Sequence, residues 1–292
     1  MKSGFVSIIG RPNVGKSTML NTLINKKVSI TSHVPNTTRD QIQGIYNSPN
    51  SQIIFIDTPG ITKNSNLLGK NMLARSLSSL QNVDLVLLLI DGSKPLQQDD
   101  DEIIEKVKDL KTKIILVITK IDLMPKERLI KKLQELGSKT DFFAYIPISS
   151  IKNNNLNTLI KEIENNLPEG PQYYHEDDVT NVSNAFMAKE VIREKAIFNL
   201  HEELPHSIAV EITKFKNKEN KIDITANLIV ERESHKPIVI GDNGEKINKI
   251  THDTVRDLSK YWDKKVYLQL HVVVKPDWKN SASELHKLQY NN

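Results

Sequence analysis

Gly10-Arg11-Pro12-Asn13-Val14-Gly15-Lys16-Ser17 has two glycines five apart followed by Lys and Ser, the spacing of a loop that cradles phosphate. Before it, Phe5 to Ile9 is a short apolar, β-branched run suited to a buried strand. After it, Thr18 to Ile24 carries Leu20, Leu23 and Ile24 at helical spacing. In that strand, loop and helix context, backbone N–H groups of the loop and of the helix N-terminus point at phosphate oxygens. Lys16 would then sit on the β- and γ-phosphates and the Ser17 hydroxyl on Mg²⁺. Gly10, Asn13, Val14, Gly15, Lys16, Ser17 and Thr18 become candidate nucleotide contacts.

The 292 residues exceed one typical domain, and two is the expectation. No apolar run of about 18 residues occurs to span a membrane, and the apolar segment at Phe5 is too short for a signal peptide. The absence of cysteine excludes disulfides and thiolate metal sites and fits a reducing cytoplasm. The net charge of +4 is mild: 22 basic stand against 17 acidic residues up to position 170, and 18 against 19 beyond it. Bulk charge therefore announces no nucleic-acid-binding domain at either end.

After the first helix, Ser29 to Asp40 is polar and without periodicity, and reads as a mobile loop containing Pro35-Asn36-Thr37-Thr38-Arg39-Asp40. Strands follow over Ile42–Tyr46 and Ile53–Ile56, the second ending in Asp57-Thr58-Pro59-Gly60. An acidic residue at the end of a buried strand beside a phosphate loop can hold Mg²⁺ through water, and a neighbouring Gly lets its N–H approach the γ-phosphate. Three further strand and helix units alternate, with strands at Leu85–Ile90, Ile114–Ile118 and Tyr145–Ile148 and helices at Ile103–Leu110, Leu129–Leu136 and Leu156–Leu167. Alternating β and α predicts a doubly wound α/β sheet, which binds ligands at the C-terminal strand ends.

Two motifs at those ends choose the base. Asp122 in Thr119-Lys120-Ile121-Asp122 can accept both N–H donors on the Watson–Crick edge of guanine, whereas adenine would leave one carboxylate oxygen unpaired. Lys120 can pack its stem along the base, and an N–H near Ser150 of Ser149-Ser150 can donate to the guanine carbonyl. Here the chain resembles the P-loop GTPases of the translation-factor class. The resemblance implies catalysis by positioning, with Lys16, Thr38, Asp57 and Gly60 as the catalytic group and Mg²⁺ held by Ser17, Thr38 and, behind a water, Asp57. Loss of the γ-phosphate would release two switch segments, Asn36 to Asp40 and Asp57 to about Leu68. Departures are visible. Thr119 stands where that class usually has Asn, which predicts a weaker hold on the loop and base. Ile61 stands where many such GTPases have a Gln that orients water, which predicts slow intrinsic turnover. Asn13 matches a position at which some of them hold an activating K⁺.

Leu167 to Asp178 is rich in Pro, Gly and charge and reads as a linker. Beyond it the pattern is a helix over Ala185–Leu204, strands Ile208–Ile212 and Ile222–Val230 joined by a basic turn at Lys214–Lys218, the segment Pro237–Gly244, a helix through Leu258, and a strand over Val266–Val274. An aliphatic segment running into Gly241-Asp242-Asn243-Gly244 and then a helix is the pattern of a KH RNA-binding module, here α+β and type II-like. Such turns usually carry Lys or Arg where this one has Asp242. Phosphate contacts would then come from Lys236, Lys246 and Lys249, with Ile240 on the groove beside the turn.

In ordered combination the two halves resemble the Era family of bacterial ribosome-assembly GTPases over nearly the whole chain. The implied organisation is a GTPase domain over 1–168, a linker over 169–183, a KH domain over 184–280 and a C-terminal tail over 281–292. The implied function is GTP binding and hydrolysis coupled to binding of the 3′ end of small-subunit ribosomal RNA in the maturing subunit. The resemblance also implies a monomer, a cytoplasmic setting and peripheral contact with the inner membrane. The competing reading is an RNA-binding module that uses guanine nucleotide as an occupancy signal, with incidental turnover. Trp278 belongs either to an extended RNA surface or to the packing of the last helix.

Overall fold

The computed structural model describes every residue except 33, 35, 36, 62–65, 291 and 292. The chain forms two units whose main boundary falls after Asn181.

The first unit runs β1 (Lys2–Gly10), α1 (Lys16–Ile24), β2 (Ile42–Asn47), β3 (Ser51–Asp57), α2 (Leu67–Ser78) from Met72 onward, β4 (Leu85–Asp91), α3 (Gln98–Val107), β5 (Lys113–Thr119), α4 (Lys126–Lys139), β6 (Ala144–Pro147) and α5 (Leu156–Asn166). Its sheet has the order β2-β3-β1-β4-β5-β6, parallel except for β2. β4 shows why the sheet is central. All seven of its residues are buried, and alternate side chains serve opposite layers. Leu85, Leu87 and Leu89 pack with Met19 and Leu23 of α1 and Leu159 and Ile163 of α5. Val86, Leu88 and Ile90 pack with Ile103 and Ile104 of α3 and Leu136 of α4. Each such aliphatic side chain contributes roughly 1.5–3 kcal/mol through burial. Their sum holds the strand ends, and the loops that follow them, in fixed positions.

Several boundaries differ from the sequence pattern. α2 begins where the second switch segment is expected to end and runs on to Ser78, a helix the pattern does not mark, and α3 starts five residues early because its acidic first turn, Asp99 to Asp101, favours the helix N-terminus without adding apolar residues. The segment expected to be a linker lies along the first unit. The Gly170 N–H donates to the Met1 carbonyl at 3.0 Å and the Ile45 N–H to the Val179 carbonyl at 2.9 Å, while Gln52 accepts from the N–H groups of Tyr173 and Tyr174. The Ile45 bond covers β2, the outer edge of the sheet, a position that would otherwise present unpaired backbone groups.

The second unit runs α6 (Asn184–Asn199), α7 (Leu204–Ser207), β7 (Ala209–Asn217), β8 (Lys221–Val230), α8 (His235–Ile240), α9 (Glu245–Trp262), β9 (Lys265–Val274) and α10 (Ala282–Lys287). Its sheet has the order β7-β8-β9, with β7 and β8 antiparallel and β8 and β9 parallel. Ile192, Ala196 and Ile197 of α6 and Ile250 of α9 pack on Ala226 and Leu228 of β8. The basic segment from Lys214 to Asn217 is strand and not turn, because Phe215 points into the core beside Ile222 and Ile224. The C-terminal tail is also packed: Leu285, Leu288 and Tyr290 are buried. Trp278 is fully buried and donates from Nε1 to the Ser207 carbonyl at 3.1 Å, which settles its role as packing. Among the described residues no helix is long and apolar enough to cross a membrane.

Candidate nucleotide and RNA sites

The phosphate loop joins β1 to α1 at the C-terminal end of the sheet. Gly15 caps α1 in a left-handed conformation, and Val14 is buried behind the loop. Lys16 crosses beneath the loop, donating from Nζ to the carbonyls of Gly10 at 3.0 Å and Arg11 at 2.9 Å. Burial lowers its pKa to about 8, a shift that Asp57 opposes and Arg11 reinforces. A phosphate anion above the loop would restore the favoured charged state. Arg11 itself is held away by α3: its Nε meets Asp100 Oδ1 at 2.6 Å.

Ser17, Thr38 and Asp57 come together from three separate elements. The Ser17 hydroxyl donates to Asp57 Oδ2 at 2.7 Å and lies 3.0 Å from the Thr38 hydroxyl, and Ser29 donates to the same carboxylate oxygen at 2.8 Å. Asp57 is fully buried, and among the described residues its Oδ1 has no hydrogen-bond partner. Burial pushes its carboxyl up, against the pull of Lys16, Ser17 and Ser29. Two hydroxyls beside a buried carboxylate with one unused oxygen fit Mg²⁺ held partly through water. No group of three His, Asp or Glu able to hold a metal occurs among the described residues, so the remaining ligands would have to come from the nucleotide and water.

Thr38, Arg39 and Asp40 are buried, and Asp40 is ion-paired with Arg75 of α2; this part of the expected mobile loop is packed. Asn36 of the first switch and residues 62–65 of the second lie outside the described residues. Gly60 stands against the phosphate loop so closely that a Cβ there would meet the Pro12 nitrogen at 2.7 Å. The Ile61 N–H donates to the Gly10 carbonyl at 3.3 Å, while its side chain is buried with Ile9 and Ile90 and cannot touch a water over the loop.

The loops expected to read the base are tied to the phosphate loop. The Thr119 hydroxyl donates to the Val14 carbonyl at 2.6 Å, so this smaller residue still braces the loop. Lys120, in a left-handed conformation, spans from the Asn13 carbonyl at 2.7 Å to Asp91 Oδ2 at 2.8 Å. Burial would raise the Asp91 carboxyl, but Lys120 and Ser93 outweigh it and hold it below its ordinary range. Ser149, fully buried, donates to Asp122 Oδ1 and aims this exposed carboxylate, and Ser150 follows in the same loop. Ser29, Asp91 and Asp100 were not singled out from sequence. Asp91 could have been, because it ends a buried strand beside the loop as Asp57 does.

In the second unit Gly241, Asp242, Asn243 and Gly244 form the turn between α8 and α9, with Gly241 at φ 74°, Asn243 at φ 50° and Gly244 at φ 82°. A Cβ on Gly241 would lie 2.9 Å from the Lys246 nitrogen, so the turn requires glycine there for space as well as for φ. Lys236, Asp242, Asn243 and Lys249 are exposed, and Ile240 and Lys246 half-buried, around it. Asp242 sits in the turn leading into α9, where the helix dipole favours a negative charge.

A phosphate loop, an exposed carboxylate held by a buried serine at the strand ends and a Gly-x-x-Gly turn on an α-β-β-α-α-β unit define a P-loop GTPase joined to a KH domain. The comparisons with known proteins agree. The family model described as 50S ribosome-binding GTPase matches residues 5–120, and that of the KH domain matches residues 203–279. GTPase Era of Ruminiclostridium cellulolyticum is 42% identical over 290 residues, covering 99% of this chain and 97% of its own. GTPase Era of Clostridium botulinum, strain Hall, is 42% identical over 292 residues, covering 100% and 99%. Among solved structures, a variant of Aquifex aeolicus Era bound to GDP and AlF₄⁻ superposes with a TM-score of 0.96 at 39% identity, covering all of both chains. Era in complex with MgGDPNP and nucleotides 1506–1542 of 16S ribosomal RNA does so with a TM-score of 0.96 at 38% identity, again over all of both chains. The chain belongs to the GTPase Era family, and its activity is GTP hydrolysis.

Proposed function

We propose that this chain binds GTP in the first unit and the 3′ end of small-subunit ribosomal RNA in the KH groove of the second, and acts in maturation of that subunit. The observation that carries the reading is the presence, in one chain, of the Ser17, Thr38 and Asp57 corner and the Gly241 to Gly244 turn. The RNA complex of the Era relative supports the same assignment.

In this reading Lys16 leaves the Gly10 and Arg11 carbonyls for the β- and γ-phosphates. Ser17 and Thr38 hold Mg²⁺ directly and Asp57 holds it through water. Bound there, the metal neutralises charge on the phosphate oxygens. The Gly60 N–H meets the γ-phosphate, and the N–H groups of Asn13 to Thr18 surround the others. Asp122 accepts from guanine, Lys120 lies along the base, and Thr119, Ser149 and Ser150 fix those two residues and the base carbonyl. With Ile61 turned into the core, no side chain at that position orients water. Turnover is slow, and K⁺ at Asn13 is the proposed aid. Lys236, Lys246 and Lys249 supply the phosphate contacts that Asp242 cannot. The protein acts as a monomer, divided at about residue 182, in the cytoplasm where GTP and the assembling subunit are. Peripheral membrane contact rests on the family resemblance alone.

The test is RNA binding and GTP hydrolysis by Gly244→Asp, whose left-handed backbone and added charge oppose an RNA strand. Affinity for an RNA from the 16S 3′ end should fall at least tenfold while basal hydrolysis is unchanged. Unaltered RNA affinity would refute the KH assignment.

A further inference from the structure

The sheet of the second unit is covered by α6 and α9 on one face only. On the other face the registers line up rows across all three strands: Lys216 with Asp223 and Tyr267, Lys214 with Thr225 and Gln269, and Glu211 with Asn227 and His271. Glu211 is neutralised by Lys275 at 3.2 Å, and Asp223 by Lys218 at 3.2 Å and Lys221 at 3.8 Å. Lys214, Lys216 and Lys265 are exposed and enter no ion pair among the described residues, so the face keeps an excess of positive charge. Tyr267 is 55% exposed, with the Lys221 ammonium 5.4 Å from its ring centre.

A solvated sheet face needs only polar side chains to stay in water. It does not need an exposed aromatic ring beside unpaired lysines. Those two features together are what single-stranded nucleic acid uses: bases stack on the ring and the backbone follows the positive charge. We propose that this face is a second RNA-binding surface, on which Lys214 and Lys216 hold the sugar-phosphate backbone of single-stranded RNA and Tyr267 stacks a base. This rests on the RNA-binding reading given above.

The fold provides a route to it. α8 and α9 both pack against β9, the strand that carries Tyr267, Gln269 and His271 on its opposite side. RNA leaving the Gly241 to Gly244 turn reaches the face by passing the free edge of β9. Length also favours a second surface. A KH groove takes about four nucleotides, whereas the Era relative binds a piece spanning nucleotides 1506–1542.

The experiment compares full-length wild type with Lys214→Glu/Lys216→Glu and with Tyr267→Ala. Fluorescence anisotropy is measured on two RNAs from the 16S 3′ end, one of about five nucleotides and one of about twenty. Both variants should bind the short RNA like wild type and the long one on the order of tenfold more weakly. For the lysine pair, the dependence of log affinity on log salt should also become shallower, by about 1.4 for two lost contacts. Wild-type affinity of the variants for the long RNA would overturn the proposal. So would an equal loss on both RNAs, which would locate the damage in the groove or the fold. Lys214→Gln/Lys216→Gln, which changes no fold-bearing contact, should give a smaller loss in the same direction. Failure of wild type to bind either RNA would instead overturn the reading on which the proposal rests.

Discussion

The Ser17 hydroxyl donates to Asp57 Oδ2 across 2.7 Å, joining the first turn of α1 to the end of β3. One oxygen of that carboxylate is thereby fixed, and the other is left for a cation. Ser17→Ala removes a hydrogen bond to a charged group, worth about 1.5–3 kcal/mol, and one direct ligand of the metal. Hydrolysis at saturating GTP should fall by about ten- to a hundredfold, and half-maximal rate should require more Mg²⁺. A Mg²⁺ titration that superposes on wild type after scaling would show that this corner does not hold the metal.

Asp122 is exposed at its tip and aimed by the buried Ser149. Asp122→Asn exchanges an acceptor for a donor and forfeits two charge-assisted bonds to guanine, about 3–6 kcal/mol. GTP affinity should fall by about 10²- to 10⁴-fold, and xanthosine triphosphate, which offers an acceptor where guanine has a donor, should bind better than GTP. Competition against a fluorescent nucleotide measures both. A variant that still prefers GTP would remove Asp122 from base recognition.

Ile61 is buried, and in the proposed reading its side chain leaves water orientation to another agent. If K⁺ at Asn13 serves, single-turnover GTP hydrolysis should be several-fold faster in KCl than in NaCl of equal ionic strength, and Asn13→Ala should abolish the difference. Equal rates in the two salts would exclude the cation.

Trp278 is fully buried, its ring centre 6.3 Å from that of Tyr290 and its Nε1 bonded to the Ser207 carbonyl. Trp278→Ala should cost about 3–5 kcal/mol, as large aromatic truncations in a core do. The thermal transition of the second unit should drop by many degrees with basal GTP hydrolysis unchanged below it. An unshifted transition would mean that the tail is not part of this core.

What the sequence disclosed follows from where each signal resides. β4 and β5 are continuous aliphatic runs because both faces are covered, and the motifs at their ends are local in sequence, so strand order and site could be read together. α2 escaped because Gly69, Asn71, Ser76 and Ser78, all weak helix formers, dilute the period of Leu68, Met72 and Leu73. β7 escaped at Lys214 to Asn217 because one face of its sheet is in water, so lysines alternate with the inward Phe215 and imitate a turn. The tail escaped because α10 is only six residues long, too short for a period to show. The pairs Arg11 with Asp100 and Lys120 with Asp91 join residues 89 and 29 positions apart. No spacing rule marks such pairs.

The most direct test of a GTPase that attends small-subunit maturation is to crosslink the chain to RNA in its own cells and sequence what is attached. The account predicts strong enrichment of the 3′ end of 16S ribosomal RNA, reduced by Gly244→Asp. Fragments scattered without enrichment at that end would contradict it.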